Sequence, residues 1–258
     1  MLKQISTSMG MFDNLLFRLG NKLNKHVHVT ESTVKDIPVI INNYNRLDCL
    51  QQQVAWFERA GMRDIYIIDN ASTYPPLLAY YMQTPHTVYL LNQNVGFMAL
   101  WKTILFQRFR HDYYIYTDPD IIPTDECPLD AVSFFFELLQ RYTHVEKVGF
   151  GLKIDDLPEY YPLKEKVLSW EAKFWNDPVA LDIYTAPIDT TFALYRPGSM
   201  GGSELNAFRT GGAYCARHTS WYINPSHLPE EELYYMQHAG SSSSWMAELL
   251  GKERNLKY

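Results

Sequence analysis

Apolar and polar positions alternate in blocks through residues 36–155, and the blocks repeat one theme. Pro38-Val39-Ile40-Ile41 is a short continuous apolar run, which predicts a parallel strand buried on both faces. It stops in the polar cluster Asn42-Asn43-Tyr44-Asn45-Arg46. Leu47 to Ala60 then places Leu50, Val54 and Phe57 on one helical face, with Gly61 as the stop. The theme returns as strand 64–68 before Asp69-Asn70-Ala71-Ser72, helix 75–82, strand 87–91 before Asn92 to Phe97, helix 99–110, and strand 113–117 before Asp118-Pro119-Asp120. Repeated strand, polar loop and helix predict right-handed crossovers and a largely parallel sheet. Every polar cluster then falls at one sheet edge, where open α/β sheets bind ligands.

Beyond Pro128 the pattern predicts a helix to about Tyr142, a strand over 147–152, a helix over 160–175 rich in aromatics and charge, and a turn into a strand over 186–195. A loop at 196–202, a short strand at 213–218 and a helix from Pro229 to His238 follow, the helix opening on Glu230-Glu231-Glu232 as suits its dipole. Residues 240–245 read as a loop. At the other end, Ile5, Met9, Phe12, Leu16, Leu19 and Leu23 recur at helical spacing among Lys3, Arg18, Lys22 and Lys25. That basic amphipathic helix suits packing on the domain, a homodimer, or peripheral contact with an anionic membrane.

Composition narrows the partners. A net charge of −6, spread along the chain, argues against nucleic acid, which calls for a basic stripe. Cys49, Cys127 and Cys215 are widely spaced and odd in number, supporting neither a disulfide framework nor a zinc site, so a cytoplasmic location is expected. No run of 18 apolar residues is present to span a membrane. The 19 Tyr and 6 Trp suit amphipathic ligands such as sugars as well as a large core.

Asp118 and Asp120 are the sharpest chemical feature. A tyrosine-rich strand empties into two carboxylates that in extended chain point the same way, roughly 6–7 Å apart. Their repulsion, about 2–3 kcal/mol at an effective dielectric near 20, becomes attraction when a divalent cation binds, so a metal facing a phosphate is expected.

Four elements between residues 38 and 120 resemble, in order and spacing, those of nucleotide-sugar glycosyltransferases of the GT-A fold, particularly the large family 2 type. Val39-Ile40-Ile41 with Asn45-Arg46 is similar to the first strand and its YNR ending, Ile68-Asp69-Asn70-Ala71-Ser72 to VDNxS, Asn94-Val95-Gly96-Phe97 to NxGF, and Asp118-Pro119-Asp120 to DxD. The resemblance implies a single α/β domain, a GT-A-type mostly parallel sheet flanked by helices. A leader would cover 1–35, the nucleotide-sugar half 36–155, the acceptor half 156–245 and a tail 246–258. It implies Asn43, Arg46, Asp69, Asn70, Asn94, Gly96, Phe97 and Asp118 around a nucleoside-diphosphate sugar, and Mn²⁺ or Mg²⁺ on Asp118 and Asp120, with His238 as a further metal ligand. The acceptor would be a glycan or lipid-linked saccharide.

The second half departs from the family pattern. The family's ED aspartate, which deprotonates the acceptor hydroxyl in inverting enzymes, has no counterpart; Glu231 or Glu232 stands in its place, and Asp189 competes from an apolar setting that favours a raised pKa. Arg209, Arg217 and His218 are candidates to reach diphosphate or acceptor, and Trp170, Trp175, Trp221 and Tyr222 to stack on sugars or fill the core. A nucleotidyltransferase is the alternative enzyme, although no basic glycine-rich loop follows the first strand. A non-catalytic sugar-binding protein is the other alternative.

Overall fold

The computed structural model describes residues 1–5, 30–202 and 206–239. Most of the predicted amphipathic helix, the loop at 240–245 and the tail 246–258 lie outside the described residues. The strands, in chain order, are β1 (Leu2–Ile5), β2 (Val39–Asn43), β3 (Ile65–Asp69), β4 (Thr87–Leu91), β5 (Tyr114–Thr117), β6 (Ile121–Pro123), β7 (Lys147–Leu152), β8 (Pro178–Ala180), β9 (Ile183–Thr185), β10 (Ala193–Tyr195) and β11 (Ala207–His218). The helices are α1 (Asp48–Arg59), α2 (Pro75–Tyr81), α3 (Ala99–Lys102), α4 (Phe106–Phe109), α5 (Ala131–Arg141), α6 (Lys164–Glu171) and α7 (Glu230–His238).

These strands form one sheet in the order β1-β4-β3-β2-β5-β10-β7-β11-β9-β8, with β6 paired to β11. The pairings leave only β6, β9 and β10 running against the rest. A single domain with a large, mostly parallel sheet flanked by helices is therefore what the sequence encodes. The pleat explains the uniform apolar runs. Val39, Ile41, Ile65 and Ile67 pack on one face with Leu50, Val54 and Phe57 of α1 and Phe135 and Leu139 of α5. Ile40, Ile68, Tyr114 and Tyr116 point to the other face, against Leu100 of α3, Leu105, and Phe106 and Phe109 of α4.

Several boundaries differ from expectation, each for a local reason. Leu2–Ile5, expected as the start of a helix, is an edge strand parallel to β4. The predicted 99–110 helix is two short helices. Thr103 is extended between them, at φ −120° and ψ 168°, and its hydroxyl donates to the Ala99 carbonyl at 2.9 Å in place of a helical amide. The strand expected at 213–218 starts at Ala207, runs beside β7 and carries a register break between Thr210 and Cys215 that hid its first half from a period-two pattern. At Gly149, where β10 crosses the sheet centre beside β7, a Cβ would lie 2.2 Å from the Phe192 carbonyl oxygen, so only glycine fits.

Candidate functional site

A cavity of about 800 Å³ opens at the C-terminal edge of the parallel strands. Of the residues expected around a ligand, Arg46, Asn70, Asn94, Gly96, Phe97, Asp118, Asp120 and Asp189 line it. Asn43, Asp69, Glu231, Glu232 and His238 are not among its lining residues.

The split at the strand ends follows from the pleat. Asn43 and Asp69 are register partners across β2 and β3, so their side chains share a face. Both reach the buried Tyr81 of α2: the Asn43 amide donates to its hydroxyl at 2.8 Å, and that hydroxyl donates to Asp69 Oδ1 at 3.0 Å. Asp69 Oδ2 accepts the Ser72 amide at 3.0 Å, and burial raises its pKa despite these donors. The pair fixes the loops from beneath. Asn42 and Asn70 line the cavity and bond to one another at 2.5 Å, while Asn70 Oδ1 accepts the Val95 amide at 3.1 Å. Asn45 sits in the left-handed region at φ 52°, and its Oδ1 accepts the Thr73 and Tyr74 amides at 2.8 and 3.0 Å. Gly96, at φ +84° with no atom within 4 Å of an added Cβ, lets backbone face the opening. Tyr116 anchors that loop, its hydroxyl donating to the Phe97 carbonyl at 2.6 Å.

Asp118 and Asp120 occupy the turn between β5 and β6 rather than extended chain. The fully buried Gln53 of α1 fixes this turn: its amide donates to Thr117 Oγ1 at 3.0 Å, the Asp118 carbonyl at 2.9 Å and the Ile121 carbonyl at 2.8 Å. Thr190 donates to Asp118 Oδ2 at 2.7 Å, and Ser220 donates to Asp120 Oδ2 at 2.9 Å. The two acids are electrostatically unlike. Burial, then repulsion from Asp120, holds the Asp118 carboxyl well above its ordinary range. Burial also pushes Asp120 up, yet His218, Arg46 and the Ser220 hydroxyl bring it below its ordinary value. His218 Nε2 lies 3.9 Å from Asp120 Oδ2, and its ring stacks on Trp221 at 4.8 Å. The imidazole at the acidic turn is thus that of His218. His238 instead stacks on Tyr234 at 4.1 Å, and its carbonyl accepts the Tyr44 hydroxyl.

The glutamates at the start of α7 hold the fold together. Glu232 forms a buried ion pair with Arg46, whose guanidinium also lies 3.8 Å from the centre of the Tyr235 ring. Glu231 accepts the Leu47 and Asp48 amides at 2.7 and 3.0 Å, capping α1 from a distant helix. Asp189 is the half-buried carboxylate that faces the cavity from the second half of the chain. Its segment is fixed by the fully buried Lys147, whose Nζ donates to the Ile188 carbonyl at 2.5 Å and the Gly202 carbonyl at 2.7 Å; burial lowers its pKa to about 8. Sequence pattern carried no signal for Gln53, Lys147, Thr190 or Ser220, each an ordinary polar residue until the fold assembles it.

A hard cation fits the chemistry of the acidic turn. Repulsion between Asp118 and Asp120 is what such an ion relieves, and the donors are oxygens. Among the described residues no group of three His, Cys, Asp or Glu side chains could hold a metal alone, and an ion on this pair would need further ligands such as substrate oxygens or water.

No protein-family model and no curated protein matches the chain. Among solved structures it is similar to glucosyl-3-phosphoglycerate synthase from Mycobacterium tuberculosis in complex with phosphoglyceric acid, at 12% identity and TM-score 0.42, covering 67% of this chain and 63% of that one. It is also similar to a structure described as a mycobacterial protein, at 15% identity and TM-score 0.38, covering 67% and 59%. The chain thus spans less than two thirds of either protein. No helix among the described residues is long and apolar enough to cross a membrane.

Proposed function

We propose that this chain is a metal-assisted glycosyltransferase of hexosyltransferase type, moving a sugar from a nucleoside-diphosphate sugar to a hydroxyl of a glycan or lipid-linked saccharide. The observation that carries this reading is the convergence of Asp118, Asp120 and Asp189 on one cavity at the C-terminal sheet edge. Asp118 and Asp120 would hold Mn²⁺ or Mg²⁺ together with diphosphate oxygens, while His218, 3.9 Å from Asp120 Oδ2, flanks that carboxylate. The ion's contribution is to offset the negative charge that grows on the departing diphosphate. Asn42, Asn70, Gly96 and Phe97 form the wall against which the nucleoside rests.

Asp189 takes the proton of the acceptor hydroxyl. The freed oxygen forms its bond to the anomeric carbon as the bond from that carbon to the diphosphate oxygen breaks, and the bonding pair leaves with the diphosphate. A single displacement of this kind inverts the anomeric centre. With Glu231 and Glu232 engaged in the fold, Asp189 is the base this arrangement favours.

Labelled UDP-, GDP- and dTDP-sugars incubated with the protein and Mn²⁺ provide the test. Slow release of free sugar from one donor is expected, with Asp120→Asn reducing it about 100-fold, the loss typical of removing one charge-stabilising group. Pyrophosphate exchange instead of sugar release would reassign the chain as a nucleotidyltransferase. Nucleotide binding without turnover would make it a binding protein.

A further inference from the structure

One wall of the cavity is basic, although the chain as a whole is acidic. α6 and the turn that continues it bring Lys166, Ser169, Trp170 and Lys173 to the cavity, the spacing of one helical face, while Val167, Glu171 and Phe174 are buried. Cations and rings alternate along this wall. Lys173 Nζ lies 3.5 Å from the centre of the Trp170 ring and 4.9 Å from that of Phe174, and the Arg209 guanidinium lies 4.0 Å from that of Phe174.

The charges on this wall are not equivalent. Arg209 is buried and satisfied, pairing with Glu171 at 2.7 Å and donating to the Pro187 carbonyl at 2.9 Å. Arg46, which also lines the cavity, is paired with Glu232. Lys173 is exposed and has no carboxylate within ion-pair distance among the described residues. One face of the Trp170 ring, 41% exposed, is taken by this ammonium, which it holds at the cavity wall. Because Arg209 grips Pro187, two residues before Asp189, this wall adjoins the segment that carries the base.

We propose that the acceptor carries an anionic group, a carboxylate or a phosphate, which Lys173 receives beside Trp170 while the hydroxyl to be glycosylated lies at Asp189. The inference rests on the glycosyltransferase reading: the diphosphate belongs with the acidic turn and its cation, which leaves the basic wall to the other substrate. An ammonium on the wall of the cleft with no carboxylate partner among the described residues favours an anionic acceptor over a neutral one.

Two measurements separate the subsite from the chemistry. Tryptophan fluorescence titrations of the full chain with UDP and Mn²⁺ present would use methyl glucoside, methyl glucuronide and glucose 6-phosphate. Saturable binding at least tenfold tighter for one anionic sugar than for the neutral one is expected. Lys173→Met should abolish that preference and Lys173→Arg retain it. The carboxylate and phosphate arms tell which anion the site takes. Equal binding of all three sugars, or an anion preference that survives Lys173→Met, overturns the proposal. Donor hydrolysis without acceptor reports on the transferase reading alone. In turnover, Lys173→Met should raise the acceptor KM more than the donor KM; the opposite split would give the wall to the diphosphate and sink the inference.

Discussion

The two sides of the cavity are built from different physics. At the parallel-sheet edge the loops are held by buried, mostly neutral donors and acceptors: Asn43 and Asp69 on Tyr81, Asn45 on two amides, Gln53 on the acidic turn. On the side made by α6, α7 and β11 the joints are charged: Arg46 with Glu232, Arg209 with Glu171, Lys173 on Trp170. Short hydrogen bonds to backbone fix geometry and carry no net charge into the cleft, so they suit a surface that must orient a nucleotide. Buried ion pairs tolerate little change of either partner but leave the field of the cleft adjustable by single charges. The difference teaches that neutral hydrogen bonds position the first side, acidic turn included, while ion pairs position the second.

The strongest challenge to this contrast is Glu232→Gln. It leaves the Arg46 charge buried without its ion-pair partner, beside Tyr235 and the more distant Asp120, and a loss of about 3–5 kcal/mol in urea unfolding is expected for a broken buried pair. A loss under about 1 kcal/mol, as for an exposed pair, would show that this joint does not behave as buried.

Lys147 gives a pH signature of next size. Its folded pKa, about 8, lies below the ordinary 10.5, so between these values the unfolded chain binds more protons and stability contributed by this residue rises with pH. Relative to Lys147→Met, the wild type should gain up to roughly 3 kcal/mol from pH 8 to 10.5. Urea midpoints of both proteins across that range check it, and parallel curves would refute the assignment. Comparison with the variant is needed because the buried cysteines, whose pKa values are raised, lose stability over part of the same window.

Gln53→Ala removes the clamp on the acidic turn and strands buried acceptors. A stability cost of about 2 kcal/mol is expected, with weaker Mn²⁺-dependent nucleotide binding by thermal shift. Asp69→Asn is the mildest change. It should cost about 1 kcal/mol while leaving nucleotide affinity within threefold, since the carboxylate holds a loop from below. A tenfold loss of affinity at intact fold would return Asp69 to the ligand.

Much of the architecture was readable from the chain because hydrophobic period reports secondary structure locally. The runs at 38–41, 64–68, 87–91, 113–117 and 147–152 found their strands, and the polar clusters after them met at one edge. What failed was pairing that depends on distant partners. β8, β9 and the first half of β11 are short or broken strands that exist because they border one another, and β1 exists because β4 offers it an edge.

Sequence by itself determined which segments carry the polar groups, because burial of apolar runs leaves the carboxylates and amides at strand ends. It could not say which polar residue faces the cleft. Asn42 and Asn43, or Asp69 and Asn70, are neighbours of like polarity, and the pleat turns one of each pair toward the cavity and the other toward Tyr81. That choice, like the meeting of Glu232 with Arg46 and of Lys173 with the open wall, belongs to tertiary structure. A side chain's role is set by where the backbone aims it and by what arrives from far along the chain to meet it.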